Sequence, residues 1–281
     1  MTRVAAVVLS WNGREDTLAC LRSLEGEDVD VIVVDNASTD GTAEAVTGVE
    51  LIRNDRNLGY AGGMNVGIQA ALERGADAVL LLNNDVTVEP GTVAALAGAA
   101  EDGGAACPVV VFAEDPERIW YAGAELDPRR GYQGRHRTSL DPDGETERIC
   151  GAAVLIPRGT IEQIGAFDEQ LFAYVEDADW SLRAREAGLP LRVIPEARVR
   201  HKVSASTGGE GSPDALYYSV RNLLTVCERH APLGFLGTWR RRLTALAAFT
   251  TQALLGRRRR AGLRAVRDGW RDFRRARYGP R

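Results

Sequence analysis

Lysine is almost absent from this sequence: of 281 residues only Lys202 is a lysine, and the other strongly basic side chains are arginines. The four cysteines are scattered without a Cys-x-x-Cys pair, at Cys20, Cys107, Cys150 and Cys227. This spacing excludes an ordinary zinc site and favours reduced thiols in a cytoplasmic protein. No run approaches 18 apolar residues, so no transmembrane helix is predicted, and the first residues lack a signal-peptide pattern.

Two nucleotide-binding signatures are also absent. The turn after the first predicted strand, Ser-Trp-Asn-Gly-Arg-Glu-Asp at 10–16, lacks the Gly-x-Gly-x-x-Gly pattern, and no Walker-A pattern occurs elsewhere. Dinucleotide-binding and P-loop proteins hold phosphate with those glycine-rich turns. A nucleotide bound by this chain would therefore be held by side chains at strand ends.

The first hundred residues alternate between apolar runs and helical patterns. We predict strands at Val4–Leu9, Val31–Val34, Glu50–Arg53 and Ala78–Leu82, and helices at Arg14–Leu24, up to Val46 and at Gly62–Glu73. Such alternation indicates an α/β fold with a doubly wound, mainly parallel sheet.

Polar residues follow three of these strands directly. They are Ser10, Asp35 and the run Asn83-Asn84-Asp85. Because the carboxyl ends of parallel strands meet at one edge of the sheet, we expect these side chains to line a common crevice. The Asp85 carboxylate beside two amides suits a divalent cation that also holds phosphate oxygens. A simple Asn/Asp turn is the alternative interpretation.

A glycine-rich segment, Asn57–Asn65, precedes the third helix. Its glycines, Gly59, Gly62 and Gly63, allow the backbone to approach a ligand at a helix N-terminus. A flexible connector is the alternative.

The second hundred residues are less regular. We predict a helix at Pro90–Gly103 and strands at Ala106–Phe112, Cys150–Pro157 and Leu191–Ile194. Residues 113–147 are rich in glycine, proline and charge, and they are interpreted as a hairpin or a mobile loop over the site. Small residues at the start of the Cys150 strand, including Gly151, leave room for a substrate.

Three acids, Glu176, Asp177 and Asp179, are crowded beside aromatic residues at the start of a predicted helix. Carboxylates in partly apolar surroundings have raised proton affinity, which suits a general base. Helix capping by Asp177 accounts for only one of them. Further along, His201 precedes a loop rich in serine, threonine and glycine, and Arg221 opens a helix where it could face a diphosphate.

Five motifs in order resemble the family-two inverting glycosyltransferases of the GT-A fold, most closely their bacterial rhamnosyltransferase-like branch. The motifs are Val-Val-Asp-Asn-Ala-Ser-Thr-Asp-Gly-Thr at 33–42, Asn-Leu-Gly-Tyr-Ala-Gly-Gly-Met-Asn at 57–65, Leu-Leu-Asn-Asn-Asp-Val at 81–86, Glu-Asp-Ala-Asp-Trp-Ser-Leu-Arg at 176–183 and Tyr-Tyr-Ser-Val-Arg-Asn at 217–222. The resemblance spans about residues 3–225. It implies a Rossmann-like nucleotide-binding sheet with flanking helices. No motif covers the residues beyond 230, where the spacing of apolar residues predicts a C-terminal helical extension.

The resemblance also implies residue roles. Nucleotide-sugar contacts fall on Ser10, Asp35, Asn57, Gly59, Gly63, Asn65, Asn83, Asn84 and Arg221. Metal ligands for Mg²⁺ or Mn²⁺ fall on Asp85 and His201, the catalytic base on Asp177, and acceptor contacts on Gly151, Glu176 and Trp180. One departure matters, because Asn83 replaces the first acid of the family's Asp-x-Asp motif and leaves one strong ligand there.

The implied reaction is a single displacement. The Asp177 carboxylate would deprotonate an acceptor hydroxyl, which attacks the sugar of a dTDP- or UDP-linked donor, with L-rhamnose a candidate sugar. The acceptor would be a glycan, a lipid-linked glycan or a small metabolite of bacterial cell-wall or polysaccharide biosynthesis. Two alternatives are a nucleotidyltransferase, which would need a basic glycine-rich first turn, and an inactive nucleotide-sugar-binding module, against which the presence of both Asp85 and Asp177 argues.

The last 51 residues differ from the rest in charge. Residues 231–281, hereafter the tail, contain fourteen arginines and two aspartates, a local charge of +12. Because the whole chain has a net charge of −4, residues 1–230 have a net charge of −16. We predict a glycosyltransferase domain at 1–230, with a nucleotide-sugar half at 1–105 and an acceptor half at 106–230, and a separate helical tail.

Apolar residues recur at helical spacing in the tail. They form two stripes, one at Leu236, Trp239, Leu243, Leu246 and Phe249 and the other at Leu263, Val266, Trp270 and Phe273. Two interpretations stay open: an interfacial helix pair on the inner face of the plasma membrane, or packing against the domain or a second copy in a homodimer. Nucleic acid is disfavoured because the body is acidic.

Overall fold

A mixed β-sheet with flanking helices forms the body of the protein. The computed structural model describes residues 2–100, 103–131, 135–141, 143–203 and 211–281. The first elements are β1 (Val4–Ser10), α1 (Arg14–Ser23), β2 (Asp30–Asp35), α2 (Thr42–Ala45), β3 (Glu50–Arg53), α3 (Gly59–Glu73), β4 (Ala78–Asn83), β5 (Val86–Val88) and α4 (Thr92–Ala99). The others are β6 (Ala105–Phe112), β7 (Asp115–Tyr121), β8 (Ala153–Pro157), α5 (Arg158–Ile164), a 3₁₀ turn (Glu169–Leu171), α6 (Glu176–Glu186), β9 (Leu191–His201), α7 (Pro213–His230), α8 (Phe235–Leu255) and α9 (Arg259–Arg274).

The described strands form one sheet in the order β3-β2-β1-β4-β8-β6-β9-β5, with β7 also paired to β6. The strands β1 to β4 are parallel, as predicted for the first half. In the second half β8 runs antiparallel to both β4 and β6, whereas β9 runs parallel to β6. The α/β prediction and the GT-A architecture are confirmed, and the sheet is mixed because β8 lies antiparallel between β4 and β6 and β5 lies antiparallel beside β9.

Close packing of α3 on β1 explains the glycine-rich segment. A Cβ atom at Gly67 would lie 2.1 Å from Val7 Cγ1, and one at Gly63 would lie 2.5 Å from Leu9 Cδ1. The helix begins at Gly59 rather than at Gly62, so most of the segment forms its first two turns. The interpretation of this segment as a flexible connector is therefore wrong.

Other boundaries shift for local reasons. The helix α4 ends at Ala99 and starts after Gly91, whose φ of +81° lies outside helical geometry. Strand β9 extends to His201 because it pairs along its length with β6 and at its end with β5. The segment after β6 forms the predicted hairpin with β7. Residues 204–210, most of the loop after His201, lie outside the described residues.

The tail packs on α7 and builds a second hydrophobic core. Its stripe residues Phe249 and Val266 are buried there, together with Leu171 and Val175 from the segment around the 3₁₀ turn. The packing interpretation is therefore confirmed for most of the two stripes, while the membrane interpretation is untested, and the division at residue 230 stays a prediction. Among the helices of the described ranges, none is both long and apolar enough to cross a membrane.

Six large apolar side chains of α8 are exposed, Leu254 and Leu255 at its end among them. We call the four in the first half of the helix the tail patch: Phe235, Leu236, Trp239 and Leu243, which are 76%, 81%, 39% and 61% exposed. The sequence pattern did not separate them from Leu246 and Phe249 on the same helix. The difference arises because only the second half of the stripe faces α7 and α9.

Stability measurements on α8 test this division. Replacing buried Phe249 by alanine should cost about 3–5 kcal/mol of the free energy of unfolding, because it opens a cavity in the second core. Replacing exposed Leu243 by alanine should change it by less than about 0.5 kcal/mol. Denaturant unfolding of the two variants decides, and equal losses would show that the helix packs differently.

Candidate active site

Polar residues at the ends of three parallel strands lie at one edge of the sheet, as predicted. In the register, Ser10 pairs with Asp35 and Leu9 pairs with Asn83. Ser10 is buried and shares a 2.8 Å hydrogen bond with Thr17. The Asn84 amide donates to Thr17 Oγ1 at 3.1 Å and to the Gly13 carbonyl at 3.3 Å. Ser10 and Asn84 thus fix the first strand–helix turn beneath this edge.

Asp35 is buried with one oxygen unsatisfied. Its Oδ2 accepts a 3.1 Å hydrogen bond from the Ser38 backbone N–H, whereas Oδ1 has no hydrogen-bond partner among the described residues. A buried carboxylate oxygen left unpaired is costly unless a ligand donor meets it. This oxygen is therefore the best candidate at this edge for contact with a base or ribose.

Asn36, which was not among the predicted site residues, forms hydrogen bonds that hold the loop before α3. Its Nδ2 donates to Asn57 Oδ1 at 3.0 Å and to the Gly59 carbonyl at 2.9 Å, and its Oδ1 accepts from Asn54 and from the Leu58 N–H at 3.0 Å each. The Asn57 side chain also accepts from the Gly59 N–H at 2.7 Å. Asn57 therefore holds the loop before α3, and these contacts support the loop rather than a bound donor.

Gly59 and Asn65 join α3 to the segment before α6. Gly59 has φ +75°, and a Cβ atom there would lie 2.3 Å from the Phe172 carbonyl oxygen. Asn65 donates to the Phe167 carbonyl at 2.9 Å and accepts from the Phe167 N–H at 3.0 Å. The donor-binding role expected of Asn65 is not supported by these contacts, because both ends of its amide are taken by backbone.

Asp85 and His201 meet at the outer part of the same edge. Strand β9 places His201 opposite Val86, so His201 Nε2 lies 3.1 Å from Asp85 Oδ1. Both side chains are buried. Although Asp85 Oδ1 lies close to His201 Nε2, neither Asp85 Oδ1 nor His201 Nδ1 forms a hydrogen bond of acceptable geometry within the described chain. The predicted pair is thus brought together.

These two residues fit one side of a magnesium or manganese site. No group of three or more His, Cys, Asp and Glu side chains suited to a metal occurs in the part of the chain that the structure describes. Mg²⁺ commonly uses one or two protein carboxylates and takes its other ligands from substrate phosphates and water. The donor set of one carboxylate and one imidazole is consistent with that arrangement.

The acids at the start of α6 occupy three different environments. Asp179 is fully buried and accepts hydrogen bonds from Arg183, Arg229 and His230, at 3.0 Å each. Burial alone would raise its pKa, but the His230 hydrogen bond and the arginine charges outweigh burial and lower that pKa. Asp179 is therefore a permanently charged anchor of the helix rather than a catalytic group.

Glu176 is a buried neutral acid at neutral pH. Burial, and next the charge of Asp177, raise the pKa of Glu176 from 4.5 to about 8. Its Oε2 has no hydrogen-bond partner among the residues described. Because the folded pKa is the higher one, the stabilisation from protonated Glu176 is lost as pH rises from about 4.5 to 8.

Asp177 is the least buried of the three acids, with 16% of its side chain exposed. Its Oδ2 lies 3.5 Å from Arg148 Nε, and a Cβ atom at Gly151 would lie 3.7 Å from Asp177 Cβ. The Gly151 carbonyl accepts a 2.5 Å hydrogen bond from the Tyr60 hydroxyl. The structure therefore brings Gly151, Glu176 and Asp177 together, with Arg148 as a neighbouring charge.

Two expected site residues lie in the interior instead. Trp180 is 1% exposed, and its Nε1 donates to the Gly165 carbonyl at 3.1 Å. Arg221 is fully buried and donates to the carbonyls of Leu171 at 2.9 Å and Gly279 at 2.7 Å. These contacts do not support the acceptor role predicted for Trp180 or the diphosphate role predicted for Arg221, because both side chains are buried and bonded to backbone carbonyls.

Three side chains that the sequence analysis did not single out, Trp120, His136 and Arg148, connect the Asp85–His201 pair to Asp177. The ring of Trp120 lies 4.9 Å from the ring of His201 and 4.4 Å from that of His136. His136 Nε2 lies 2.7 Å from Arg148 Nη2. Burial, and next the Arg148 charge, lower the pKa of His136 to about 4, so this imidazole is neutral and accepts from Arg148.

Comparison with known proteins adds an independent finding. The family model "Glycosyl transferase family 2" matches residues 6–164. The N-acetylglucosaminyl-diphospho-decaprenol L-rhamnosyltransferase of Mycobacterium tuberculosis is 29% identical, over 80% of this chain and 82% of that protein. The dTDP-rhamnosyl transferase RfbF of Shigella flexneri is 25% identical, over 83% of this chain and 82% of that protein.

The fold has counterparts among solved structures. GalNAc-T7, solved with UDP, GalNAc and Mn²⁺, superimposes with a TM-score of 0.65 at 18% identity, covering 79% of this chain and 48% of that chain. At this level of identity the likeness concerns the fold alone.

Metal binding at Asp85 is directly testable. Replacement of Asp85 by asparagine should weaken Mn²⁺ binding in the presence of UDP or dTDP by at least about tenfold, because a charged ligand is lost. Paramagnetic resonance titration of free Mn²⁺ measures this. Glu89→Gln is the matched control, since Glu89 pairs outward with Arg200 on the same strand pair. Equal affinity in both variants would reduce the Asp85–His201 contact to a structural ion pair.

Proposed function

The chain belongs to glycosyltransferase family 2 and is a glycosyltransferase, and on that premise we propose that it inverts the anomeric centre of a nucleoside-diphosphate sugar while transferring the sugar to an acceptor hydroxyl. The observation that carries this proposal is the presence of two groups in one site: the partly exposed carboxylate of Asp177 and the buried Asp85–His201 pair. The side chains of Trp120, His136 and Arg148 connect these two groups. An inverting displacement requires one base and a stabilised leaving group, with no second carboxylate nucleophile.

Asp177 is assigned as the base. It takes the proton from the acceptor hydroxyl, whose oxygen forms the new bond to the anomeric carbon while the bond to the diphosphate oxygen breaks. Glu176 is unsuited to this role because its raised pKa of about 8 keeps it protonated at neutral pH. Arg148 Nε lies 3.5 Å from Asp177 Oδ2, so the guanidinium is a neighbouring positive charge for this carboxylate.

Asp85 and His201 are assigned to hold Mg²⁺ or Mn²⁺. When bound, such an ion compensates the negative charge that develops on the departing diphosphate. Asp35, with its unpartnered Oδ1, is assigned to the nucleoside. Asn83 adds an amide oxygen at the same edge, in place of an acid that would bind the ion more strongly.

L-Rhamnose on dTDP, or a related sugar on UDP, is the proposed donor, and a lipid-linked glycan is the proposed acceptor. Support comes from the two relatives above, whose names specify rhamnosyl transfer and, in one of them, a decaprenyl-diphosphate acceptor. A screen of nucleotide sugars for nucleoside-diphosphate release identifies the donor, and a nucleotidyltransferase would instead release inorganic pyrophosphate from a triphosphate.

The tail patch is proposed to contact a membrane at the inner face of the plasma membrane, where a lipid-linked acceptor resides. Its exposed apolar side chains are followed by exposed Arg240 on the same helix and by Arg257–Arg260 after it. Apolar side chains beside arginines suit an interface with anionic lipid, and each basic residue near such a surface contributes about 1 kcal/mol.

Base removal tests the mechanism. Replacement of Asp177 by asparagine should lower kcat by about 10²–10⁴-fold, because general base catalysis is lost. Donor affinity, measured by calorimetry on the same sample, should stay near that of the unaltered protein. Glu186→Gln on the same helix is the control for changing a carboxylate there. Turnover of Asp177→Asn within a few-fold of the unaltered protein would remove Asp177 from the base role.

Vesicle co-sedimentation tests the membrane contact. Leu236→Glu combined with Leu243→Glu should reduce binding to phosphatidylglycerol vesicles by about 10²-fold, because the burial of two leucines is lost. Leu140→Glu, at an exposed leucine outside the tail, is the matched control. Unchanged sedimentation of the double variant would contradict the membrane proposal. A concentration-dependent mass that falls in the double variant would instead identify the patch as a homodimer contact.

A further inference from the structure

The five residues before the candidate base have an unusual backbone. Phe172, Tyr174 and Val175 have φ values of +66°, +66° and +71°, and none of them is glycine. Side chains other than glycine and asparagine rarely adopt this left-handed region, and for a β-branched residue such as Val175 it is costly. Such a conformation persists only where surrounding contacts over-determine it.

Asn222 on α7 supplies those contacts. Its Nδ2 donates to the carbonyl oxygens of Leu171 at 2.8 Å, Ala173 at 2.9 Å and Tyr174 at 2.8 Å. Asn222 is completely buried. One side-chain nitrogen therefore holds three backbone carbonyls within four residues, and residues 172–175 belong to no helix or strand.

Arg221 fixes the orientation of that amide. Its Nε donates to Asn222 Oδ1 at 2.9 Å, so the amide oxygen faces the guanidinium and the amide nitrogen faces the carbonyls. The same guanidinium donates to the Leu171 carbonyl at 2.9 Å and to the Gln170 carbonyl at 3.3 Å. The two residues form one polar unit around the segment Gln170–Tyr174.

The segment also contacts the nucleotide-sugar half. The Phe172 carbonyl accepts a 3.1 Å hydrogen bond from the Ala61 N–H at the start of α3. The Phe172 ring stacks on Tyr218 of α7, with ring centroids 5.2 Å apart. The segment therefore lies between α3 and α7, and its far end is the first turn of α6, where Asp177 lies.

We propose that Asn222 is a positioning residue, which sets the location of Asp177 by holding the segment Leu171–Val175 in its left-handed conformation. This inference rests on the proposed function, because it assumes that Asp177 is the base. Asn222 touches neither the Asp85–His201 pair nor Asp35, so its effect should fall on the proton-transfer step and spare donor binding. Displacing a catalytic group by about 1 Å can cost 10²-fold in rate.

A double-mutant cycle between positions 177 and 222 tests the proposal. Asn222→Ala alone should lower kcat by about 10²-fold, with the KM for the donor changed less than about threefold. In an Asp177→Asn background the same substitution should lower the residual rate by less than about threefold, because a base that is absent cannot be mispositioned.

Phe249→Ala is the control for lost stability, since it damages the second hydrophobic core, which Leu171 and Val175 share, without removing any hydrogen bond to the segment. Its kcat should stay within about threefold of the unaltered protein at a temperature where the variant remains folded. If Asn222→Ala does not fold, Asn222→Ser, which retains one donor, replaces it. If both unfold, Asn222 is a folding residue and the proposal is overturned.

The remaining outcomes distinguish a failure of the positioning role of Asn222 from a failure of the base role of Asp177. An equal loss of rate from Asn222→Ala in both backgrounds overturns the positioning role while leaving Asp177 as the base. An active Asp177→Asn single variant overturns the base assignment, and the positioning proposal with it.

Discussion

The parallel register of β1 between β2 and β4 is the constraint on which the site depends. Because Ser10 pairs with Asp35 and Leu9 pairs with Asn83, the carboxyl ends of β1, β2 and β4 lie at the same edge of the sheet. Burial of the aliphatic runs in these strands makes the register stable, since a slip by one residue would turn core side chains outward. The Asp85–His201 pair needs one further element, the return of β9 beside β5, which completes the edge from the opposite direction.

Three acids within one helical turn show how the protein gives identical functional groups different properties. Asp179 is surrounded by two arginines and a histidine, and it serves as a fixed charge. Glu176 is buried beside the charge of Asp177, and these two causes outweigh the opposing charge of Arg148 and raise the pKa of Glu176 to about 8. Asp177, between them, has an arginine near one oxygen and keeps 16% of its side chain exposed. The separation follows from burial and neighbours rather than from residue type.

Much of this arrangement could be predicted from the sequence. Continuous aliphatic runs ending in polar residues predicted β1, β2, β4 and their common edge, and the motif order predicted the family. The roles of Asn65 and Arg221 were not predictable, because a motif does not reveal whether a polar side chain meets a ligand or a backbone carbonyl. Trp120, His136 and Arg148 were missed since they come from a segment without periodicity, whose position is set by tertiary contacts such as the pairing with β6 and with β9.

The contacts of Gly279 bear on how such enzymes could be recombined. Its N–H donates to the Gln170 carbonyl at 3.0 Å, and its carbonyl accepts from Arg221 at 2.7 Å. The chain after α9 thus completes the surroundings of a loop more than a hundred residues earlier. A chimaera joined at His230, with its tail taken from a relative, would break a shared set of hydrogen bonds. The compatible unit of exchange is the tail together with α7 and the loop before α6, even though these parts are distant in the gene.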